Sequence, residues 1–150
     1  MSKKIVALIS AGIISLSLVG CSSETGGDDI EQSKEEQKDG YTLNYGELLE
    51  SNINEEILVV KAKIKPNMTN KLTISQNGFN IEDLIKNQGT DEFKEIQYWA
   101  VADMTSGEES KVISFTVDED LIKSIKEGNT VANQIVDKAK DVWILPSLQE

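Results

Sequence analysis

The sequence predicts a small α+β fold for residues 41–150, with a mostly antiparallel sheet and two or three short helices packed on one face. Segments with the alternation or composition of strands are interleaved with short helical segments. These segments do not alternate regularly, as they would in a parallel α/β protein. A chain of this length buries enough surface for one ordinary hydrophobic core.

The clearest strand is the segment ILVVKAKIK at residues 57–65, in which apolar residues alternate with Lys61, Lys63 and Lys65. The preceding segment YTLNYGELLESN, residues 41–52, fits either a strand or a short helix. The turn-like sequence NINEE that overlaps its end favours a hairpin between the two segments.

Composition predicts four further strands. They are residues 71–74 (KLTI), 95–103 (EIQYWAVAD), 111–117 (KVISFTV) and 141–145 (DVWIL). A polar loop with a glycine separates the second from the third, which predicts a hairpin. Pro146 ends the last strand, and Trp143 within it is expected in the core.

Short helices are predicted between these strands. Asn80 is expected to cap a helix from Ile81 to about Gln88, with Gly89 just past its end. A second helix is predicted over residues 121–127.

Two residues are candidates for the N-cap of the second helix. Thr116 has the spacing to Glu119 that a capping box requires, while Asp118 competes as the capping residue. Residues 130–140 are weakly helical and complete the predicted elements.

The N-terminal 20 residues have the features of a secretory signal peptide. Two lysines precede an uncharged apolar run of 15 residues, IVALISAGIISLSLV, at residues 5–19. This run is too short to cross a bilayer as a helix but suits a signal peptide. It ends in the sequence LVGC at residues 18–21.

This ending closely resembles the lipobox of bacterial lipoproteins. The resemblance covers residues 1–21 and implies a diacylglycerol on the sulfur of Cys21 and cleavage between Gly20 and Cys21. The mature chain would then be held on the outer face of the cytoplasmic membrane. Cys21 is the one cysteine in the chain, so the expected anchoring uses it.

Residues 22–40 (SSETGGDDIEQSKEEQKDG) are predicted to be a disordered acidic tether. They hold seven acids, two lysines and one strongly apolar residue, Ile30, too little apolar surface to offset the entropy of ordering. The expected organisation is a signal peptide at 1–20, a lipidated cysteine and tether at 21–40, and one domain at 41–150.

Charge and composition exclude several classes of function. Without its signal peptide the chain has 13 lysines against 26 acids, a net charge of −13, which disfavours nucleic acid as a partner. The absence of histidine excludes histidine-dependent nucleophiles and general bases and the usual Cys/His zinc sites. We therefore assign no catalytic residue, cofactor or metal. Abundant isoleucine, lysine and asparagine without arginine indicate an AT-rich genome, and we expect a Gram-positive host.

Two features of the predicted strands are candidate binding surfaces. Lys61, Lys63 and Lys65 share one strand face, where they would either meet phosphate groups of wall polymers or lipids, or simply solvate the sheet and protect its edge. Tyr98 and Trp99 are sequence neighbours on a strand and point to opposite faces. One of them should be in the core, which leaves the other exposed for binding.

Oxygen-bearing side chains cluster in the loop of the predicted hairpin. Asp103, Thr105, Glu108 and Glu109 supply the oxygen atoms that calcium prefers, but their spacing does not match an EF-hand. Asp103 follows an apolar run, so it is the acid that we single out as a candidate for a carboxylate-dependent enzyme. The large number of acids makes any particular catalytic pair uninformative.

The favoured interpretation is a lipid-anchored, noncatalytic binding or interaction domain. Its partner would be another envelope protein or a wall polymer, and the domain itself is expected to be monomeric. One alternative is a small carboxylate-dependent hydrolase acting on cell-envelope glycans. Another is an accessory subunit of an envelope secretion, conjugation or phage-exclusion system.

Overall fold

A computed structural model describes residues 40–150, so the predicted signal peptide, Cys21 and nearly all of the tether lie outside the described residues. Five strands and three α-helices occur in the described range. They are β1 (Glu47–Asn54), β2 (Ile57–Lys63), α1 (Asn70–Asn87), β3 (Glu95–Asp103), β4 (Glu109–Asp118), α2 (Glu119–Lys126), α3 (Ala132–Lys138) and β5 (Lys140–Ile144). Short 3-10 turns cover Thr90–Glu92 and Pro146–Leu148. The predicted α+β class is confirmed.

The five strands form one sheet whose spatial order, β1-β2-β3-β4-β5, is the same as their order along the chain. Both predicted hairpins are confirmed, because β1 pairs antiparallel with β2 and β3 pairs antiparallel with β4. β5 also pairs antiparallel with β4. β2 and β3 are parallel, because α1 carries the chain back from the end of one strand to the start of the other.

The hydrophobic core lies between the helices and one face of the sheet. Alternate residues of the central strands are buried in it, as the period of two requires. The sheet contributes Leu58, Val60, Ala62, Ile96, Tyr98, Ala100, Ile113, Phe115 and Val117, and the helices contribute Ile81, Leu84, Ile85, Leu121, Ile122, Ile125, Ile135 and Val136.

Helix α1 corrects two predictions. It begins at Asn70, so the expected strand at 71–74 is wrong, and its N-cap is Thr69, whose Oγ1 accepts a hydrogen bond from the Leu72 backbone N–H at 3.2 Å. Asn80 therefore lies in the middle of the helix and does not cap it. The buried side of the first half of α1 is polar, as Thr73, Gln76, Asn77 and Asn80 show. The apolar period that marks a helix is consequently missing there.

Gly78 allows α1 and α3 to pack closely. A Cβ atom built on Gly78 would lie within 2.1 Å of the backbone oxygen of Ala132 at the start of α3. Because a backbone oxygen cannot swing aside as a flexible side chain does, only glycine fits here without moving one helix.

Asp118 is the residue that caps α2. Its Oδ1 accepts a hydrogen bond from the backbone N–H of Leu121 at 2.9 Å, which settles the choice between Asp118 and Thr116. The ambiguous segment before β2 is also resolved, since β1 begins at Glu47. β2 ends at Lys63, two residues earlier than predicted.

Candidate functional site

The face of the sheet that points away from the helices is uncovered, and we call it the open face. Its residues alternate with the core residues along each strand. On the central strands and β5 it carries Val59, Lys61, Lys63, Gln97, Trp99, Val101, Ser114, Thr116 and Trp143. The large apolar side chains of the core lie on the helix-covered face, whereas Trp99 and Trp143 are exposed on the open face.

One row of side chains crosses the open face from edge to edge. The strand register places Glu50 beside Lys61, Lys61 beside Trp99, Trp99 beside Ser114 and Ser114 beside Trp143. Neighbouring strands are about 4.8 Å apart, so Trp99 and Trp143, two strands apart, are separated by about 10 Å. Residues from all five strands therefore build this row.

Tyr98 and Trp99 have separate environments. The Tyr98 side chain is 1% exposed, and its hydroxyl donates to Asn77 Oδ1 at 3.0 Å and accepts from Asn80 Nδ2 at 3.1 Å. Burial raises the pKa of this phenol. Trp99 is 43% exposed on the open face. The structure thus places Trp99 on the candidate surface and Tyr98 in the core.

Trp143 is the second tryptophan of the open face, and its predicted place in the core is wrong. It is 39% exposed, and the Nζ atom of Lys111 lies 4.4 Å from the centre of its ring. That distance is within the range of a cation–π interaction. Its neighbour Ile144 pairs with the buried Ile113 and turns inward. Alternation then turns Trp143 outward.

The three lysines predicted to share one face have different surroundings. Lys63 pairs with Asp103 at 2.8 Å and with Glu109 at 3.4 Å, and these hydrogen bonds raise its pKa, Asp103 having the larger effect. Lys65 lies beyond the end of β2 and is exposed. Lys61 lies beside Trp99 and forms no ion pair with a described residue. The three therefore do not form a continuous positive stripe.

A shallow depression of about 220 Å³ lies beside Trp99 on the open face. Its lining includes Val59, Gln97, Trp99, Ser114, Thr116 and Asp141. The Gln97 amide donates to Glu95 Oε1 at 2.7 Å. The hydroxyls of Ser114 and Thr116 and the carboxylate of Asp141 make no hydrogen bond or ion pair with any residue from 40 to 150. The depression therefore combines an aromatic ring with polar groups that are available to a ligand.

A larger groove, which we call the strand-end groove, lies where β2 and β3 end. It measures about 760 Å³, and its lining includes Tyr45, Lys63, Met68, Gln76 and Asp103. Met68 is 94% exposed. The facing charges Lys63 and Asp103 neutralise each other, and Gln76 donates to the backbone oxygen of Lys65 at 3.1 Å. The central polar groups of the strand-end groove therefore already have hydrogen-bond or ion-pair partners within the protein.

Among residues 40–150, the acid singled out by the sequence and the two carboxyl groups with a shifted pKa do not have the environment of a general acid. Asp103, the acid that the sequence singled out, has a side chain 62% exposed and bound to Lys63. At Asp83 a hydrogen bond from Asn87 lowers the pKa, and at Asp118 a hydrogen bond from Lys140 does the same. A general acid at neutral pH requires the opposite shift. Within residues 40–150, no group of three or more acidic or other metal-binding side chains is placed to hold a metal ion.

The sequence did not identify Trp143, Ser114, Thr116 or Asp141 as parts of a site. Trp143 had a local signal in the inward-facing isoleucine beside it, but the other three are ordinary polar residues. No helix in residues 40–150 is both long enough and apolar enough to cross a bilayer.

Comparison of this chain with protein-family models, with curated proteins and with solved structures finds no match. The function of the domain has therefore to be inferred from its own residues.

Proposed function

We propose that this protein is a lipid-anchored binding protein on the outer face of the cytoplasmic membrane, and that its C-terminal domain binds its partner through the open face without catalysing a reaction. The observation that carries the proposal is the position of Trp99 and Trp143, both exposed in one row of an uncovered sheet face. Tryptophan is enriched at the positions where the binding energy of an interface is concentrated, and two of them are presented here on one exposed row.

The proposed anchoring rests on the lipobox resemblance at residues 18–21. Each buried methylene of an acyl chain contributes about 0.8 kcal/mol, so two chains on Cys21 would hold the protein stably. The composition of residues 22–40 predicts a flexible tether, and a flexible chain of 19 residues has an average reach of about 25 Å. That reach would let the domain meet an envelope protein or a wall polymer near the membrane.

Binding is favoured over hydrolysis because the acids that a hydrolase would use are exposed, ion-paired or held charged. Asp103 and Glu109 both lie against the ammonium group of Lys63, at 2.8 Å and 3.4 Å, so neither is free to act on a substrate. If the partner of the open face is an envelope protein, the domain would act as an accessory subunit of that protein.

The intrinsic fluorescence of the full-length protein tests the proposal. The chain has two tryptophans, and both lie on the open face. With both replaced biosynthetically by 5-hydroxytryptophan, which can be excited at wavelengths where the tryptophans of other proteins do not absorb, we expect envelope extract in detergent solution to shield them from quenching by acrylamide. Trp143→Phe leaves Trp99 as the only emitter and should retain that protection.

Leu72→Ala is the matched control, since Leu72 is an exposed apolar residue on α1, away from the open face. In the Leu72→Ala protein, envelope extract should shield the tryptophans from acrylamide as it does in the parent protein. Equal quenching with and without envelope extract, in the parent and in Trp143→Phe, would refute binding through this face.

A further inference from the structure

We infer that the ligand of the open face is an uncharged carbohydrate, with one sugar ring stacked on Trp99 and its hydroxyl groups bonded to the polar side chains of the adjacent depression. This inference rests on the proposed function and adds the chemical class of the ligand. Three properties of the surface carry it: its aromatic rings, its unpartnered polar groups and its charge.

Trp99 supplies a stacking platform. The face of an indole ring carries negative potential, which attracts the weakly positive C–H groups on the flat side of a pyranose ring. The depression beside Trp99 has a volume of about 220 Å³, below the usual range for drug-sized ligands. A single sugar unit suits a site of this size.

Trp143 extends the platform along the same row. The two indoles are separated by about 10 Å across the strands, comparable with the advance of two units in an extended oligosaccharide. Ser114 lies between them in the register. A chain of sugars that crosses the strands would therefore stack on one tryptophan, pass a hydroxyl group and reach the other tryptophan.

The polar lining of the depression suits sugar hydroxyls. The hydroxyls of Ser114 and Thr116 both donate and accept hydrogen bonds, while the carboxylate of Asp141 only accepts them. None of the three makes a hydrogen bond or an ion pair with residues 40–150, although the charge of Lys140 lies near Asp141. Each sugar hydroxyl can donate one hydrogen bond and accept others, so one pyranose ring can satisfy this mixture of groups.

The charge of the surface opposes an anionic ligand. Asp141 lines the depression, and Glu95 lies next to it through its bond with Gln97. Two lysines are neutralised by ion pairs, Lys63 with Asp103 and Glu109, and Lys140 with Asp118 at 2.6 Å. Lys61 forms no ion pair with a described residue and Lys111 contacts the ring of Trp143, but neither lysine lines the depression. In the depression itself a phosphate group would meet the two carboxylates, whereas an uncharged sugar meets no such repulsion.

The test is a fluorescence titration of the full-length protein in detergent. The probes are neutral oligosaccharides of glucose, N-acetylglucosamine, mannose and galactose, with poly(glycerol phosphate) as the anionic comparison. We expect a saturable change in tryptophan emission with at least one neutral saccharide. Trp99→Ala, followed through Trp143, should weaken that binding by about tenfold or more, as loss of a stacking ring does elsewhere. Leu72→Ala should bind as the parent does.

Asp141→Asn distinguishes an uncharged ligand from an anionic one. Asp141 has a positive φ of 50°, and asparagine adopts that conformation about as readily as aspartate. The substitution therefore removes the charge and keeps the backbone. Binding of a neutral saccharide should weaken, because a strong acceptor is lost, whereas binding of an anionic polymer would strengthen. Thermal unfolding of each variant checks that it remains folded.

The results also separate this inference from the proposed function. If no neutral saccharide changes the emission while envelope extract still protects the tryptophans, the carbohydrate inference is wrong and the ligand is a protein or another polymer. Saccharide binding that survives Trp99→Ala in a folded protein places the sugar elsewhere and also refutes the inference. If neither saccharide nor extract affects the tryptophans, the proposed function fails as well.

Discussion

The side-chain amide of Asn80 pairs with both backbone groups of Tyr45. Its Oδ1 accepts from the Tyr45 N–H at 2.9 Å, and its Nδ2 donates to the Tyr45 oxygen at 2.8 Å. Gln88, the C-cap residue of α1, repeats the pattern on Thr42 with two hydrogen bonds of 2.8 Å. Two amide side chains thus take the place of a neighbouring strand for the segment that precedes β1. This segment lies against α1, so a ligand can cover the open face without displacing it.

Replacement of Asn80 by alanine should destabilise the domain by about 2–3 kcal/mol, because two backbone groups of Tyr45 and the hydroxyl of Tyr98 lose a buried partner. Urea unfolding measures the change. Asn87→Ala, which removes one exposed hydrogen bond to Asp83 at the end of the same helix, should change the stability by no more than about 1 kcal/mol. Equal effects of the two substitutions would contradict the proposed role of Asn80.

Replacement of Gly78 by alanine should also destabilise the domain, although alanine is the better helix former by about 1 kcal/mol. The added Cβ meets the backbone oxygen of Ala132, and overpacking of this kind costs about 1–3 kcal/mol. Ser75→Ala on the same helix provides the control, because it improves helix propensity without a bond to lose. A Gly78→Ala protein more stable than its parent would show that α3 moves aside easily.

The stability of the domain should decrease in acid partly through Asp118. The hydrogen bond from Lys140, followed by the one from the Leu121 backbone, holds the pKa of Asp118 below its ordinary value of 3.8. A lowered pKa in the folded state means that the stabilisation is present above pH 3.8 and is lost as the pH falls through the folded-state pKa. Asp118→Asn should therefore show a shallower loss of stability below about pH 4.

Substitutions of Asp118 also distinguish its contribution as a helix cap from its contribution as the ion-pair partner of Lys140. Asparagine caps a helix about as well as aspartate, so Asp118→Asn keeps the bond to Leu121, whereas Asp118→Ala loses a further ~1 kcal/mol at neutral pH. Thermal unfolding between pH 3 and pH 7 provides both comparisons. An unchanged acid profile in Asp118→Asn would assign the acid sensitivity to other carboxyl groups.

Cys21→Ser should abolish lipid labelling and leave the precursor uncut after Gly20. The expected chemistry needs a thiol, which the neighbouring serines cannot replace. Metabolic labelling with a radioactive fatty acid and the mobility of the protein on gels give the result. A serine variant that is still mature, labelled and membrane-bound would refute the anchoring proposal.

Residues 41–150 should fold alone as a soluble monomer with one cooperative unfolding transition, because the core of the domain lies within this range. In the longer chain that begins at residue 22, hydrogen exchange of residues 22–40 should be fast, as expected for a polar acidic segment. Protected amides within 22–40, or a broad noncooperative transition of the shorter chain, would contradict the predicted boundary.

The strands β2, β3 and β4 were predictable because their signals are local. The alternation of apolar and polar residues in β2, the strand composition of β3 and β4, and the polar loop between β3 and β4 need no knowledge of the rest of the chain. The first half of α1 was not predictable in this way. Its buried side chains Gln76, Asn77 and Asn80 are polar, and only the folded structure supplies their partners in Lys65, Tyr98 and Tyr45.

The sequence by itself determined the α+β class, the central hairpin and the absence of histidine chemistry, because composition and short-range periodicity are properties of neighbouring residues. Only the tertiary structure decided that Trp99 and Trp143 share a row with Ser114 between them. That row depends on the register of β3, β4 and β5, which brings together residues more than 40 positions apart in the sequence. Register is set by the burial of one entire face of the sheet, and a slip of one residue would turn both tryptophans into the core.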